Sequence, residues 1–189
     1  MNVTITEDRL LSRGPAALEM MARLSTRSAG WKTTTTTNER IIALHGGNPV
    51  GAYRDWRFST VVSWLNGNYF EQWFLTDPPR SHRLWYLRRA YLHLYTLNRS
   101  EQTEREFLAL HCDPNEAETE SHWRYKRGPH LHVKCAPFPF PKAHLALNLG
   151  ELDQVLSSPD SISAAMAAGI TLIRERVIDL YETEGVRPQ

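Results

Sequence analysis

Histidines are concentrated in one part of this chain of 189 residues. Five of its eight histidines lie between positions 111 and 144, and both cysteines fall in the same window: His111, Cys112, His122, His130, His132, Cys135 and His144. The tightest spacing is in Gly128-Pro129-His130-Leu131-His132, where Gly-Pro ends the preceding element and a strand begins. Because side chains alternate along a strand, His130 and His132 face the same way and can act on one ion or one substrate group.

A second strand extends this histidine pair into a candidate metal site. In the preceding strand segment, the side chains of His111 and Asp113 are expected on one face, whereas those of Leu110 and Cys112 are expected on the other. If His111 and Asp113 face the histidine pair, three histidines and one carboxylate meet. Zinc and other borderline divalent metals take such ligands, and three protein ligands with one open position suit hydrolysis. The sequence therefore predicts a divalent-metal site, with zinc as the example, whose ligands are His111, His130 and His132, with Asp113 or His144 completing the catalytic set.

The same histidines permit two other interpretations. Without a metal, one neutral and one protonated imidazole can take a proton from a ribose hydroxyl and return one to the leaving oxygen. The cations that could stabilise the phosphorane charge in that reaction are Lys126, Arg127 and Lys142. Alternatively, the histidines are structural strand residues, because a two-residue histidine spacing is common by chance. For Cys112 and Cys135 we favour a structural role over a role as ligand or nucleophile.

Arginines and aromatic side chains alternate in segments that could bind nucleic acid. Positions 80–99 contain five arginines and no acidic residue, whereas positions 101–120 contain seven acidic residues and one arginine. Single-stranded nucleic acid is bound by such mixtures, because bases stack on aromatic rings while phosphates pair with cations. The candidate substrate-binding residues are Arg89, Tyr91, Trp123, Tyr125, Lys126, Arg127 and Lys142. A solvated sheet face, or pairing of the arginines with the acidic segment, would give the same pattern.

The elements around these residues follow an α+β pattern. The predicted boundaries are an N-terminal helix over 8–25, an antiparallel sheet of about six to seven strands over about 33–149 and C-terminal helices over 150–183, in a single domain of residues 1–189. The last helix is long and amphipathic, because apolar residues recur at helical spacing from Ile162 to Leu180. Within the sheet, Asn66-Gly67-Asn68 predicts a hairpin turn. Residues 84–97 are expected to pair with residues 104–113, and Arg89, Tyr91, His93 and Tyr95 are expected to share one sheet face.

Composition and charge exclude several classes of protein. Lys and Arg number 22 against 21 Asp and Glu, so no overall charge draws the chain to nucleic acid or to a membrane. No apolar run approaches the roughly 20 residues that span a bilayer, and the start MNVTITEDRLL lacks a signal-peptide pattern. With only two cysteines, we expect a reduced protein in the cytoplasm. Gly46-Gly47 lacks the Gly-Lys-Ser/Thr of a phosphate-binding loop.

The second half of the chain contains a series of short motifs: Leu110-His111-Cys112-Asp113-Pro114, Gly128-Pro129-His130-Leu131-His132-Val133, a Pro-rich stretch at 136–141, and Ala143-His144-Leu145. This series, over about residues 105–180, resembles that of uncharacterised small bacterial proteins from toxin–antitoxin and phage-defence neighbourhoods, including the TumE-like toxins. The resemblance implies an intracellular conflict-system component, with a protein partner from the same operon. His130, His132 and His144 are the matched positions. The first half of the chain lies outside the resemblance, which assigns no activity.

Three hypotheses for the function follow, and they leave open whether the protein is an enzyme. The first is a cytoplasmic toxin or phage-defence protein that is a histidine-centred hydrolase or nuclease acting on RNA or single-stranded nucleic acid. The second is a non-enzymatic interaction module of a defence or antitoxin assembly, whose interface comprises the Pro-rich stretch and three aromatic residues expected to be exposed: Trp85, Trp123 and Tyr125. The third, from fold-level analogy alone, is a ubiquitin-conjugating-like fold in which Cys112 or Cys135 accepts a thioester.

Overall fold

The structure, a computed structural model, describes residues 3–24, 29–76, 83–98, 100–114, 127–134 and 143–184. The strands are β1 (Thr4–Thr6), β2 (Gly30–Thr35), β3 (Glu39–His45), β4 (Ser59–Val62), β5 (Leu65–Leu75), β6 (Leu84–Asn98), β7 (Thr103–Cys112), β8 (His130–Val133) and β9 (Ala143–Ala146). The helices are α1 (Glu7–Leu11), α2 (Arg13–Met21), α3 (Leu152–Val155), α4 (Pro159–Ile173) and α5 (Asp179–Glu184). A 3-10 turn spans Tyr53–Asp55, and a π-helical turn, Arg174–Ile178, joins α4 to α5. The fold class is α+β, as the sequence predicts.

The described strands form one antiparallel sheet. Its order is β2-β3-β5-β6-β7-β8-β9, with β1 paired to β6 and β4 paired to β5. The predicted pairing of residues 84–97 with 104–113 is confirmed by the long β6–β7 ladder, in which Tyr91 lies opposite His111. The short strands β8 and β9 then add to β7. The three strands that carry His111, His130, His132 and His144 are therefore adjacent at one side of the sheet.

The described helices pack against one face of this sheet. The long C-terminal helix begins at Ser158, whose side-chain oxygen accepts a hydrogen bond from the Ser161 backbone N–H, with Pro159 in the first turn. Its buried stripe is Ile162, Met166, Ile170 and Ile173. Gly169 allows close approach to β7, because a Cβ there would lie 2.9 Å from Leu110 Cδ2. None of the described helices is long and apolar enough to cross a membrane.

A buried ion pair lies within this helix-covered core. Arg13 of α2 donates to both carboxylate oxygens of Glu71 on β5, at 3.0 and 2.5 Å. The Tyr69 hydroxyl and Trp73 Nε1 also donate to Glu71, and Arg13 further donates to Ser163 Oγ. Burial by itself lowers the pKa of Arg13, but the Glu71 carboxylate more than reverses this, so the guanidinium pKa is raised. The network fixes α2 and α4 to the sheet.

One prediction for the first half of the chain is refined and another is wrong. The N-terminal helix is present, but it is divided at Ser12 into α1 and α2, and the short strand β1 precedes it. The motif Asn66-Gly67-Asn68 is not a hairpin turn but lies inside β5, where Gly67 is opposite Ser59 and Leu94. Gly67 is required by packing, because a Cβ there would lie 2.3 Å from the Phe58 ring.

The second face of the sheet carries a smaller apolar cluster and a row of histidines. The cluster comprises Ile41, Ala43, Trp56 and Phe70, with Tyr53 and Tyr91 packed against it. Asn68 Nδ2 fixes the 3-10 turn over this face by donating to the carbonyl oxygens of Tyr53 and Trp56, at 3.1 and 2.7 Å. We call this second face of the sheet the histidine face, and we define it by the side chains of Tyr91, His93, His111, His130 and His132.

Candidate metal centre

Strand register brings three histidines together. His111 on β7 lies directly opposite His130 on β8, and His132 follows two residues later on the same face. One ring nitrogen from each of these histidines lies within 4.8 Å of the other two. Tetrahedral zinc with Zn–N bonds of about 2.0–2.1 Å holds neighbouring nitrogens about 3.4 Å apart, so modest side-chain rotations would complete such coordination. We call His111, His130 and His132 the histidine centre.

The protonation of the centre suits a metal ligand set. His130 is fully buried, and its Nδ1 lies 2.9 Å from the Gly128 carbonyl oxygen. A neutral His130 donates from Nδ1 to that oxygen, which assigns the lone pair to Nε2. His111 Nε2 is shielded from solvent and has no hydrogen-bond partner among the described residues. Burial, together with repulsion from His132 and His93, lowers the pKa of His111, so this imidazole is neutral at pH 7.

Two further residues expected at the site lie beside the centre. His144 on β9 is opposite His132, and the two ring centroids are 4.0 Å apart, but its nitrogens are not among the converging ligand atoms. Asp113 accepts a hydrogen bond of 2.6 Å from the Tyr91 hydroxyl and is also outside that group. Because the Tyr91 ring stacks on His111 with centroids 3.7 Å apart, Asp113 contacts the centre through Tyr91.

His93 is a site residue that the sequence analysis placed on this face but not in the catalytic set. Its Nδ1 lies 2.5 Å from Glu106 Oε1, and Lys134 forms an ion pair with the same carboxylate. Burial lowers the pKa of His93 to about 4, with repulsion from Lys134, Arg57 and Arg54 adding to the effect. The ring is 4.9 Å from that of His111. A neutral His93 is therefore held beside the centre, with Nδ1 donating to Glu106.

A groove of about 230 Å³ adjoins the centre. The lining residues are Arg54, Asn68, Phe70, Arg89, Tyr91, His93 and Tyr95. Tyr91 and His93 also contact His111, so these two side chains belong both to the groove lining and to the surroundings of the centre. The predicted shared face of Arg89, Tyr91, His93 and Tyr95 is thus confirmed. Arg54, which is not among the residues predicted for the site, lies in the 3-10 turn Tyr53–Asp55 and lines the groove.

No protein-family model, curated protein or solved structure matches this chain. The resemblance of residues 105–180 to TumE-like proteins therefore stays an expectation. What the site can do follows from its own donors. Three imidazoles favour a borderline divalent ion such as zinc, and the orphaned Nε2 of His111 is the kind of buried polar atom that an ion would satisfy.

Other predicted site residues lie elsewhere in the structure or outside the described residues. Arg127 donates from Nε to the Pro114 carbonyl oxygen at 3.3 Å, and it does not line the groove. Its own carbonyl oxygen accepts from the Cys112 thiol. The predicted residues outside the described ranges are Trp123, Tyr125, Lys126, Cys135 and Lys142.

Two expectations about accessible side chains are decided by burial. Trp85 is not an exposed interface residue, because it is fully buried, with Nε1 donating to Glu7 Oε2 and the Arg40 guanidinium 4.5 Å from its ring centroid. Cys112 is fully buried in the helix-covered core, as its strand parity predicts. Burial raises the pKa of the Cys112 thiol, with the Asp113 charge adding to the effect. Cys112 is therefore placed as a core residue and not as a thioester acceptor.

Proposed function

We propose that this protein is a divalent-metal-dependent hydrolase of the nuclease type, with the ion held by His111, His130 and His132. The observation that carries the proposal is the convergence of three ring nitrogens within 4.8 Å, one of them from a histidine with an orphaned Nε2. Three protein ligands leave a coordination position for water. A bound zinc ion lowers the pKa of such a water to about 7, which supplies a nucleophile at neutral pH.

His93 is the proposed general base of this reaction. It adjoins His111, and it lines the groove where the substrate would lie. Because Nδ1 donates to Glu106, the opposite nitrogen is the one that can accept a proton. Glu106 is then a positioning residue that fixes the ring orientation and tautomer of His93.

The proposed scissile bond is a phosphodiester of nucleic acid. Two guanidinium groups, those of Arg54 and Arg89, line the groove beside the centre. Cations at this position stabilise the charge that develops on phosphate oxygens during hydrolysis. A nuclease acting inside the cell would suit the toxin or phage-defence setting that the resemblance of residues 105–180 implies, and we include that setting in the proposal.

The test is cleavage of labelled oligonucleotides by the metal-loaded protein, with and without a chelator. We expect cleavage that requires Zn²⁺, Mn²⁺ or Ni²⁺ and that falls at least 100-fold in His132→Ala. The matched control is His45→Asn, because His45 contacts the Gly47 carbonyl oxygen and lies outside the converging group. Circular dichroism of each variant checks the fold. Cleavage that persists unchanged in His132→Ala, or none with any of the three ions, would contradict the proposal.

A second candidate function is the non-enzymatic interaction module. One observation favours it: β9 is at the end of the strand order, and Leu145 on it is 52% exposed. A sheet edge with an exposed apolar side chain can pair with another chain. Light scattering distinguishes the two, because this candidate predicts a stable complex or oligomer that is weakened by Leu145→Lys and is indifferent to chelator.

A further inference from the structure

We propose that the groove binds one nucleotide of a single-stranded nucleic acid, with its phosphate between Arg54 and Arg89 and its base against the aromatic side chains of the lining. This inference deepens the proposed function by naming the form of the substrate. Cleavage of the bound strand depends on the proposed function. Binding in the groove does not, because the groove residues are not those of the histidine centre and they can bind a nucleotide without a metal.

Charge is the first argument for an anionic occupant. Several acidic side chains around the groove already have partners: Glu39 with Gln72, Glu104 with Arg57, Glu106 with Lys134 and His93, and Asp113 with Tyr91. Arg54, by contrast, hydrogen-bonds through its side chain to the Tyr53 hydroxyl, and Arg89 Nε is buried with no hydrogen-bond partner among the described residues. Neither guanidinium forms an ion pair within the described part of the chain. Guanidinium forks match phosphate oxygens.

Aromatic packing is the second argument, and it favours a nucleotide over inorganic phosphate. The rings of Phe70 and His93 are nearly parallel, with an interplanar angle of 9° and centroids 6.2 Å apart. The rings of His93 and Tyr95 have an interplanar angle of 20° and centroids 6.2 Å apart. Tyr91 and Tyr95 are partly exposed within this set. Bases stack on such side chains without strong sequence preference. A duplex keeps its bases stacked on one another, so only an unpaired strand can present a base to the groove.

Position is the third argument. Tyr91 and His93 line the groove and also contact His111, so a nucleotide seated there would lie one side chain away from the histidine centre. A volume of about 230 Å³ accommodates a single unit of a chain whose other units continue outward. The groove would therefore select the strand and align it, while the centre would cut it.

The experiment is fluorescence anisotropy in EDTA, with a labelled 12-nucleotide single strand as probe and the corresponding duplex as comparison. We expect the single strand to bind at least tenfold more tightly than the duplex. Arg54→Gln/Arg89→Gln should weaken binding at least tenfold and reduce the slope of log affinity against log salt by about 1.4, at about 0.7 for each phosphate contact. Tyr95→Leu should weaken single-strand binding with an unchanged salt slope.

The matched control is Arg9→Gln/Arg105→Gln, which changes the charge equally. Arg9 pairs with Asp160 on the helices, and Arg105 lies between Glu104 and Glu106 in β7, on the opposite face. The inference is overturned if this control weakens binding as much as the groove variant does, or if the duplex binds equally well. Single-strand binding by a protein that takes up none of the three ions after incubation with each would contradict the hydrolase and leave the groove assignment standing. Metal-dependent hydrolysis of bis(p-nitrophenyl) phosphate without single-strand binding would contradict the groove assignment and leave the hydrolase standing.

Discussion

His111 and His130 are register partners on neighbouring strands, and this pairing creates the histidine centre. The alternation of β8 then adds His132 on the same face. All three histidines lie on strands whose other sides are packed: Leu110 and Leu131, which alternate with them, belong to the helix-covered core. A ligand set on rigid elements needs little reordering to bind an ion, which is what a functional centre requires.

His93→Ala is expected to separate catalysis from metal binding. If His93 is the general base, removing it should lower kcat by about 100- to 10,000-fold while the metal content stays at the wild-type level. Glu106→Gln should give a smaller loss, because the amide can still accept from Nδ1. The measurement is oligonucleotide cleavage beside metal analysis on the same samples. An equal loss of bound metal in His93→Ala would make His93 a ligand instead.

His144→Ala is expected to leave the metal in place. His144 is exposed and contacts the His132 ring, but its nitrogens lie outside the converging group. We predict at most a loss of about tenfold in metal affinity, the lower end of the effect of residues that support a ligand. Competition with a fluorescent zinc chelator measures this. A loss as large as that of His132→Ala would show that His144 completes the coordination.

Glu71→Gln is expected to destabilise the protein by about 3–5 kcal/mol, because it leaves the Arg13 charge buried without its counter-ion. Asp160→Asn is the control, since it breaks an ion pair with Arg9 in which both side chains are more than half exposed. That pair should contribute at most about 1 kcal/mol. Chemical denaturation measures both free energies of unfolding, and similar losses in the two variants would contradict the buried-pair argument.

Cys112 is expected to resist alkylation in the folded protein. The thiol is fully buried and its pKa is raised, so little reactive thiolate is present. Iodoacetamide labelling followed by peptide mapping should leave Cys112 unmodified in buffer and modify it in denaturant. Rapid labelling in buffer would return Cys112 to consideration as a thioester acceptor.

Strand alternation explains why much of this face could be predicted. The parity of His130, His132 and His111 follows from the two-residue period alone, and so does the burial of Cys112. The register could not be predicted, because a shift of two residues preserves parity while placing His111 opposite His132. Only the folded pairing of β7 and β8 selects the observed partners.

Contacts between segments that are distant in sequence explain which structural features could not be predicted. The sequence Asn66-Gly67-Asn68 has turn-forming residues, but Gly67 is fixed by the Phe58 ring and Asn68 by the carbonyl oxygens of the 3-10 turn. The same long-range contacts place Arg54 over the groove. Glu71 looks like an exposed acid in sequence, and its burial depends on Arg13, which is 58 residues away in the chain. Local patterns contain none of this information.

The most direct test of the histidine centre is the metal content of untagged protein purified without chelator, measured by inductively coupled plasma mass spectrometry. Wild type is compared with His130→Ala/His132→Ala and with the control His45→Asn, and thermal unfolding confirms that each variant is folded. We predict about one zinc, manganese or nickel ion per chain in wild type and in the control, and none in the double variant. Absence of metal from wild type, even after incubation with each ion, or equal metal in the double variant, would contradict this prediction.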